Sequence, residues 1–248
     1  MPLPKPGQQA DETKEGSWAP THQKQDKIPH RQIRASYDSE TITVYQAYNE
    51  EIASQAVLHQ KLNASPLFKP SRMTWIKPSW CWMMYRAGYS YKDRNQARIL
   101  ALKMRQCDFV RLLERAVLTT ERAALDADAG GSGGQLDGPA PAADTEGSAA
   151  KPRAAHVKVQ WDPERSPNLG RLNHRSIQIG VPPGPLQADW VERWIVGIED
   201  VTERARGLKA ALDASPESSW QALLEQGLLL DEREFTVPEE LRSVLGMD

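Results

Sequence analysis

The stretch from 123 to 155, AALDADAGGSGGQLDGPAPAADTEGSAAKPRAA, limits the possible folds more than any other part of the chain. It is built mainly from Gly, Ala, Ser, Pro and Asp and has no apolar periodicity. Such a composition cannot bury enough apolar surface to offset the entropy of ordering it, which predicts a disordered, flexible tether. A structureless run of this length does not fit inside a compact core. It is therefore either an insertion looped out of one domain or the joint between two. The entropy of closing a loop grows only logarithmically with its length, so an insertion is easily tolerated. Residues 1–30, rich in Pro, Gln and Lys and equally aperiodic, predict a disordered tail. A mean hydropathy of -0.60 agrees with part of the chain standing outside any core.

The remaining segments alternate between two periods. TITVYQAY (41–48) reads as a strand, and Asn49 caps a helix that begins EEIASQAVLHQKL. RMTWI (72–76) is a second strand that Pro78 ends. Ser79 then caps a short helix through Ala87, and Gly88 stops it. RILALKM (98–104) is a third strand, with Asp108 as the cap of a helix FVRLLERAVL. Beyond the tether, HVKVQWD (156–162) and HRSIQIGV (174–181) each place apolar residues on one face, as a strand pair joined by the loop PERSPNLGRLN. Helical patterns follow in ADWVERWIVGI, TERARGLKAAL, ESSWQALLEQG and PEELRSVL. The expectation is an α+β fold: a small mixed sheet with flanking helices, one domain over 31–248 interrupted at about 123–155. The block before the tether offers few strands for a sheet of its own.

Several function classes are disfavoured at this stage. Cys81 and Cys107 form no CxxC pair and have no histidine at ligand spacing, so no metal site is indicated. GGSGG in the tether lacks the Lys of a phosphate loop and any strand before it. No signal sequence or apolar span is evident, so the chain is expected in the cytoplasm or nucleus, not secreted and not in a membrane. The net charge of -2 is unevenly spread, with 14 Lys and Arg against 7 Asp and Glu over 31–118, and 12 against 16 over 151–248. The basic half favours a phosphate-bearing ligand, nucleotide or RNA, and fits equally a solvated basic face.

The candidate site starts from RMTWIKPSWCWMMYR (72–86). Trp80, Met83 and Met84 form a stripe that reads as core. Lys77 and Ser79 stand at a strand-to-helix junction, where free N–H groups and the positive helix end favour an anion; Ser79 reads equally as a plain cap. Arg34, Arg72, Arg86 and Arg175 lie beside strand or helix ends, and guanidinium suits bidentate contact with phosphate. Gln46, Gln160 and Gln178 interrupt apolar strands; two of them facing a cleft could hold a base or an amide. His156, His174, Asp162, Glu164, Glu199 and Asp200 are the acid–base candidates, and Glu199 and His174 are taken as the catalytic pair.

Five strings, IRASYDSETITVYQAYNEEIA (33–53), RMTWIKPSWCWMMYRAG (72–88), VQWDPER (159–165), HRSIQIG (174–180) and WIVGIEDVT (194–202), together resemble the family known as domain of unknown function 4291. The resemblance spans 33 to about 210. It implies no established activity, and the tether departs from the compact form of the family. By fold-level analogy, the order of strands and helices is similar to ADP-ribosyltransferases, in which an early Arg or His and a later Ser or Thr hold NAD. The analogy implies a nucleotide-binding protein that transfers from NAD to an acceptor, with Gln178 or Glu199 standing in for the late Glu of that fold. The alternative is an RNA-binding module without catalysis, stacking bases on Trp82, Tyr85, Tyr89 or Tyr91.

Overall fold

The structure, a computed structural model, describes residues 28–119 and 156–247. The expected tether and positions 1–27 of the expected tail lie outside the described residues. Positions 28–30 lie within them, and the His30 carbonyl accepts a hydrogen bond from Arg175 N at 2.8 Å.

The chain is α+β, with seven α-helices and three small sheets among the described residues. In order the elements are β1 (Arg34–Ala35), β2 (Thr41–Tyr48), α1 (Glu50–His59), β3 (Thr74–Ile76), α2 (Trp80–Ala87), β4 (Arg98–Arg105), α3 (Gln106–Leu113) and β5 (Ala116–Leu118). After the undescribed segment come β6 (Val157–Arg165), β7 (Arg171–Val181), α4 (Pro185–Asp189), β8 (Ile195–Asp200), α5 (Thr202–Ala214), α6 (Trp220–Glu225), β9 (Arg233–Glu234) and α7 (Glu239–Leu245). Strands β2, β4 and β8 form an antiparallel sheet, β3, β7, β6 and β5 a mixed one, and β1 pairs with β9. The mixed sheet interleaves strands from before and after the undescribed segment. Tyr45 and Lys77 tie the two larger sheets together by reciprocal main-chain bonds of 2.7 and 3.2 Å.

Alternation of period two decides which side chains each sheet buries. On β2 and β4, Ile42, Val44, Leu100, Leu102 and Met104 face the main core with α3, whereas Tyr45, Ile99 and Ala101 face α2 and α5 in a second cluster. Helix α1 begins where Asn49 accepts from Ile52 N, and α2 begins at Ser79 and ends at Gly88 in the left-handed conformation.

Two stretches depart from the sequence reading. Helix α3 starts at Gln106, so Asp108 is not its cap. It is buried in the first turn and paired with Arg105 and Arg111. The second is ADWVERWIVGI, expected as one helix. It is α4, then a wide helical turn over Trp190–Trp194, then strand β8. Pairing of β8 with β4 wins there, because Ile195 and Ile198 bury on one face while Val196 and Glu199 point outward.

Candidate functional site

On β6 and β7 one face is apolar and buried, with Val157, Val159, Trp161, Ile177, Ile179 and Val181. The opposite face carries Gln160, Asp162, Ser176 and Gln178. Gln160 stands opposite Gln178, Asp162 opposite Ser176, and Gln178 Nε2 donates to Gln160 Oε1 at 2.7 Å. Further along, Gly180 has no side chain because Trp75 lies against its backbone; a Cβ there would come within 3.1 Å of the indole and 2.9 Å of Met73 Sδ. One end of this polar face is open, and the other runs beneath the start of α2.

Lys77 enters the open end just after β3. It is 5 % exposed, donates through Nζ to the Trp75 carbonyl at 3.1 Å and stands 5.3 Å from the Trp82 ring centroid. Burial, helped by the nearby charge of Arg86, lowers its ammonium pKa to about 7. Asp162 is the matching acid. Burial raises its pKa to about 6 against the opposing pull of Lys77, the Gln178 hydrogen bond, Arg175 and Arg165, and its Oδ2 is buried without a partner among the described residues. Arg165 stacks over the Tyr85 ring at 3.7 Å, with its Nε buried and without a partner among the described residues. Arg86 donates to Gln96 Oε1 at 2.9 Å, and Arg175 to the Trp161 carbonyl at 2.9 Å and His30 Nε2 at 3.2 Å. Among the described residues none of these four cations is neutralised on a carboxylate at ion-pair distance; Lys77, Arg175 and Arg165 act on Asp162, and Arg86 acts on Lys77. That surplus of positive charge suits an anionic guest.

The covered end is closed. Ser79 is 1 % exposed; its hydroxyl accepts from Trp82 N at 3.1 Å and donates to Glu164 Oε1 at 3.0 Å. Trp80 N, the amide expected to meet a ligand phosphate, donates instead to Glu232 Oε1 at 2.6 Å. The group at this helix start is the protein's own carboxyl, brought by the chain leading into β9. Arg34 belongs to the same nest, donating to the Glu232 carbonyl at 2.6 Å and to Gln32 Oε1 at 3.2 Å. Burial raises the pKa of both Glu164 and Glu232, that of Glu232 strongly and with a further contribution from Glu164.

The residues singled out from sequence thus separate. Lys77, Gln178, Arg175 and Arg86 gather at the open end, while Arg34 and Ser79 lie in the buried nest. His174 lies near Arg34 and His30, its imidazole pushed to about 4 by burial and by those two groups, which leaves it neutral and a weak base at pH 7. Gln46 turns to the core side, where its amide donates to Thr74 Oγ1. Arg72 is exposed ahead of β3, and its carbonyl accepts from Gln187 at 2.8 Å. Glu199 lies on the other sheet, in a groove with Tyr45, Lys103 and Arg204. Arg165 was the residue missed on this face: assigning PERSPNLGRLN to the loop stops the strand early, although β6 continues through Pro163 with an irregularity in register.

A protein-family model described as Domain of unknown function (DUF4291) matches residues 32–235. No curated protein matches the chain.

Proposed function

The chain belongs to the DUF4291 family, and from that premise we propose that it binds a nucleotide on the polar face of β6 and β7 and transfers ADP-ribose from NAD to an acceptor. The supporting observation is the surplus of basic groups around one half-buried carboxyl: Lys77, Arg165 and Arg175 around Asp162, with Arg86 beside Lys77. The cations suit the pyrophosphate, and the Gln160–Gln178 amides suit the carboxamide or a base. In the transfer an acceptor nucleophile attacks C1′ of the ribose. The glycosidic C–N bond breaks, nicotinamide leaves with the bonding pair, and the nucleophile's proton passes to Asp162. Its carboxyl, with a pKa of about 6, is largely ionised at pH 7 and can receive it. In this reading Asp162 takes the role that sequence reasoning gave to Glu199.

Thermal shifts with NAD, ADP-ribose, ATP and a single-stranded RNA test this. A ligand at a hundred times its Kd stabilises by about 2.7 kcal/mol, a clear rise in Tm. NAD and ADP-ribose are expected to raise it, Arg165→Ala to remove the effect, and Asp162→Asn to keep the binding while stopping nicotinamide release. Absence of any nucleotide shift would remove the proposal. RNA binding that weakens steeply with salt, without a nucleotide shift, would point to an RNA-binding module instead.

A further inference from the structure

A second concavity lies on the other sheet. It is a groove of about 260 Å³, roughly the space of nine water molecules, bounded by β2, β4, the start of α5 and the chain ahead of β9. Its location follows from register: Tyr45, Ala101 and Glu199 align across β2, β4 and β8, and Thr43 aligns with Lys103 one pair away, so all project from one face. Helices α2 and α5 cover only part of that face. Arg204, in the first turn of α5, completes the wall.

Three features indicate what the groove would hold. The Tyr45 ring is fully buried, edge-on to Trp80 at 5.2 Å, yet its hydroxyl has no hydrogen-bond partner among the described residues. A buried donor left unsatisfied is uncommon and calls for a partner. Next, of the charges that act on that hydroxyl, Glu232 first and then Arg204 and Glu199, the last two line the groove, and among the described residues neither of these two side chains is hydrogen-bonded or ion-paired. Finally, both signs of charge are present, Lys103 and Arg204 against Glu199; Asp38 at the rim is already engaged by Thr41 and Glu40.

From this we propose that the groove binds a free α-amino acid. Its carboxylate pairs with Lys103 and Arg204 and its ammonium with Glu199, with the buried Tyr45 beneath them. Opposite charges set apart on one wall match a zwitterion better than a simple anion, and the volume suits a small metabolite below the size of a drug-like ligand. The site uses none of the residues assigned to nucleotide binding, so each reading can fail alone.

Calorimetric titration of the full chain with L-serine, L-threonine and L-leucine tests the assignment, each compared with its N-acetyl and its amide derivative. At least one free amino acid is expected to bind, and blocking either end should weaken it about tenfold or more, as should Glu199→Gln or Arg204→Gln. The thermal response to NAD should be the same in both variants as in the wild type. Lack of binding by all three amino acids overturns the proposal. Equal binding of an N-acetyl derivative, or unchanged binding by Glu199→Gln, overturns it too.

Discussion

Lys77 shows how one residue can oppose stability in favour of a site. Its ammonium titrates near 7 when buried and near 10.5 in a model peptide. Between those pH values the unfolded chain binds a proton that the folded chain does not, so this group makes stability rise with pH across the window and contributes least below 7. Lys77→Met keeps the stem and removes the amine. It is expected to raise Tm at pH 7 by on the order of 5 °C, with the gap to wild type widest below pH 7 and closing towards 10.5. Melting curves across pH check this, and a Tm below wild type at pH 7 contradicts it. The same variant should lose the response to NAD, the usual conflict between a well-packed core and a working site.

At the scale of elements, the start of α2 is held by a carboxyl group from a distant segment, and its protonation sets a second sign. Glu232 has a folded pKa raised well above 4.5, so its contribution is complete below the unfolded pKa and is lost as pH rises. Glu232→Gln retains an acceptor for Trp80 N without a charge to bury. It should match wild type in acid and exceed it at neutral pH. Glu232→Ala leaves the amide unpaired and should lie about 1–2 kcal/mol below Glu232→Gln at either pH, so that its deficit against wild type is larger in acid than at neutral pH; chemical denaturation at pH 4 and pH 7 distinguishes the three. Sequence reasoning reached much of this architecture. β2, α1, α2 and β4 were readable because caps and periodicity agree locally, as at Asn49 and Ser79. β8 was hidden inside an apparently helical pattern, since Ile195 and Ile198, three apart, share a helix face and come to one strand face only through the irregularity in pairing with β4. At the site, Lys77, Arg175 and Gln178 were legible as polar residues at strand ends or within apolar strands. What occupies the helix start was not, because Glu232 lies 152 positions from Trp80 and no local pattern links them.

The whole molecule depends on strands supplied from both sides of the undescribed segment: β3 and β5 come before it, and β6 and β7 after. Cutting the chain at a protease site placed between 130 and 140 should therefore leave the two fragments bound, as two bands on a denaturing gel but a single peak at the uncut elution volume. Separate peaks would show that the shared sheet does not hold the halves together. Tyr45 and Lys77 span the molecule in another way, since one floors the groove, the other lines the cationic face, and each holds the other's peptide group by a hydrogen bond. Two guests seated on opposite sheets would then communicate across a single rung of the ladder. Whatever factor the first imposes on the grip of the second, reciprocity requires the second to return in full.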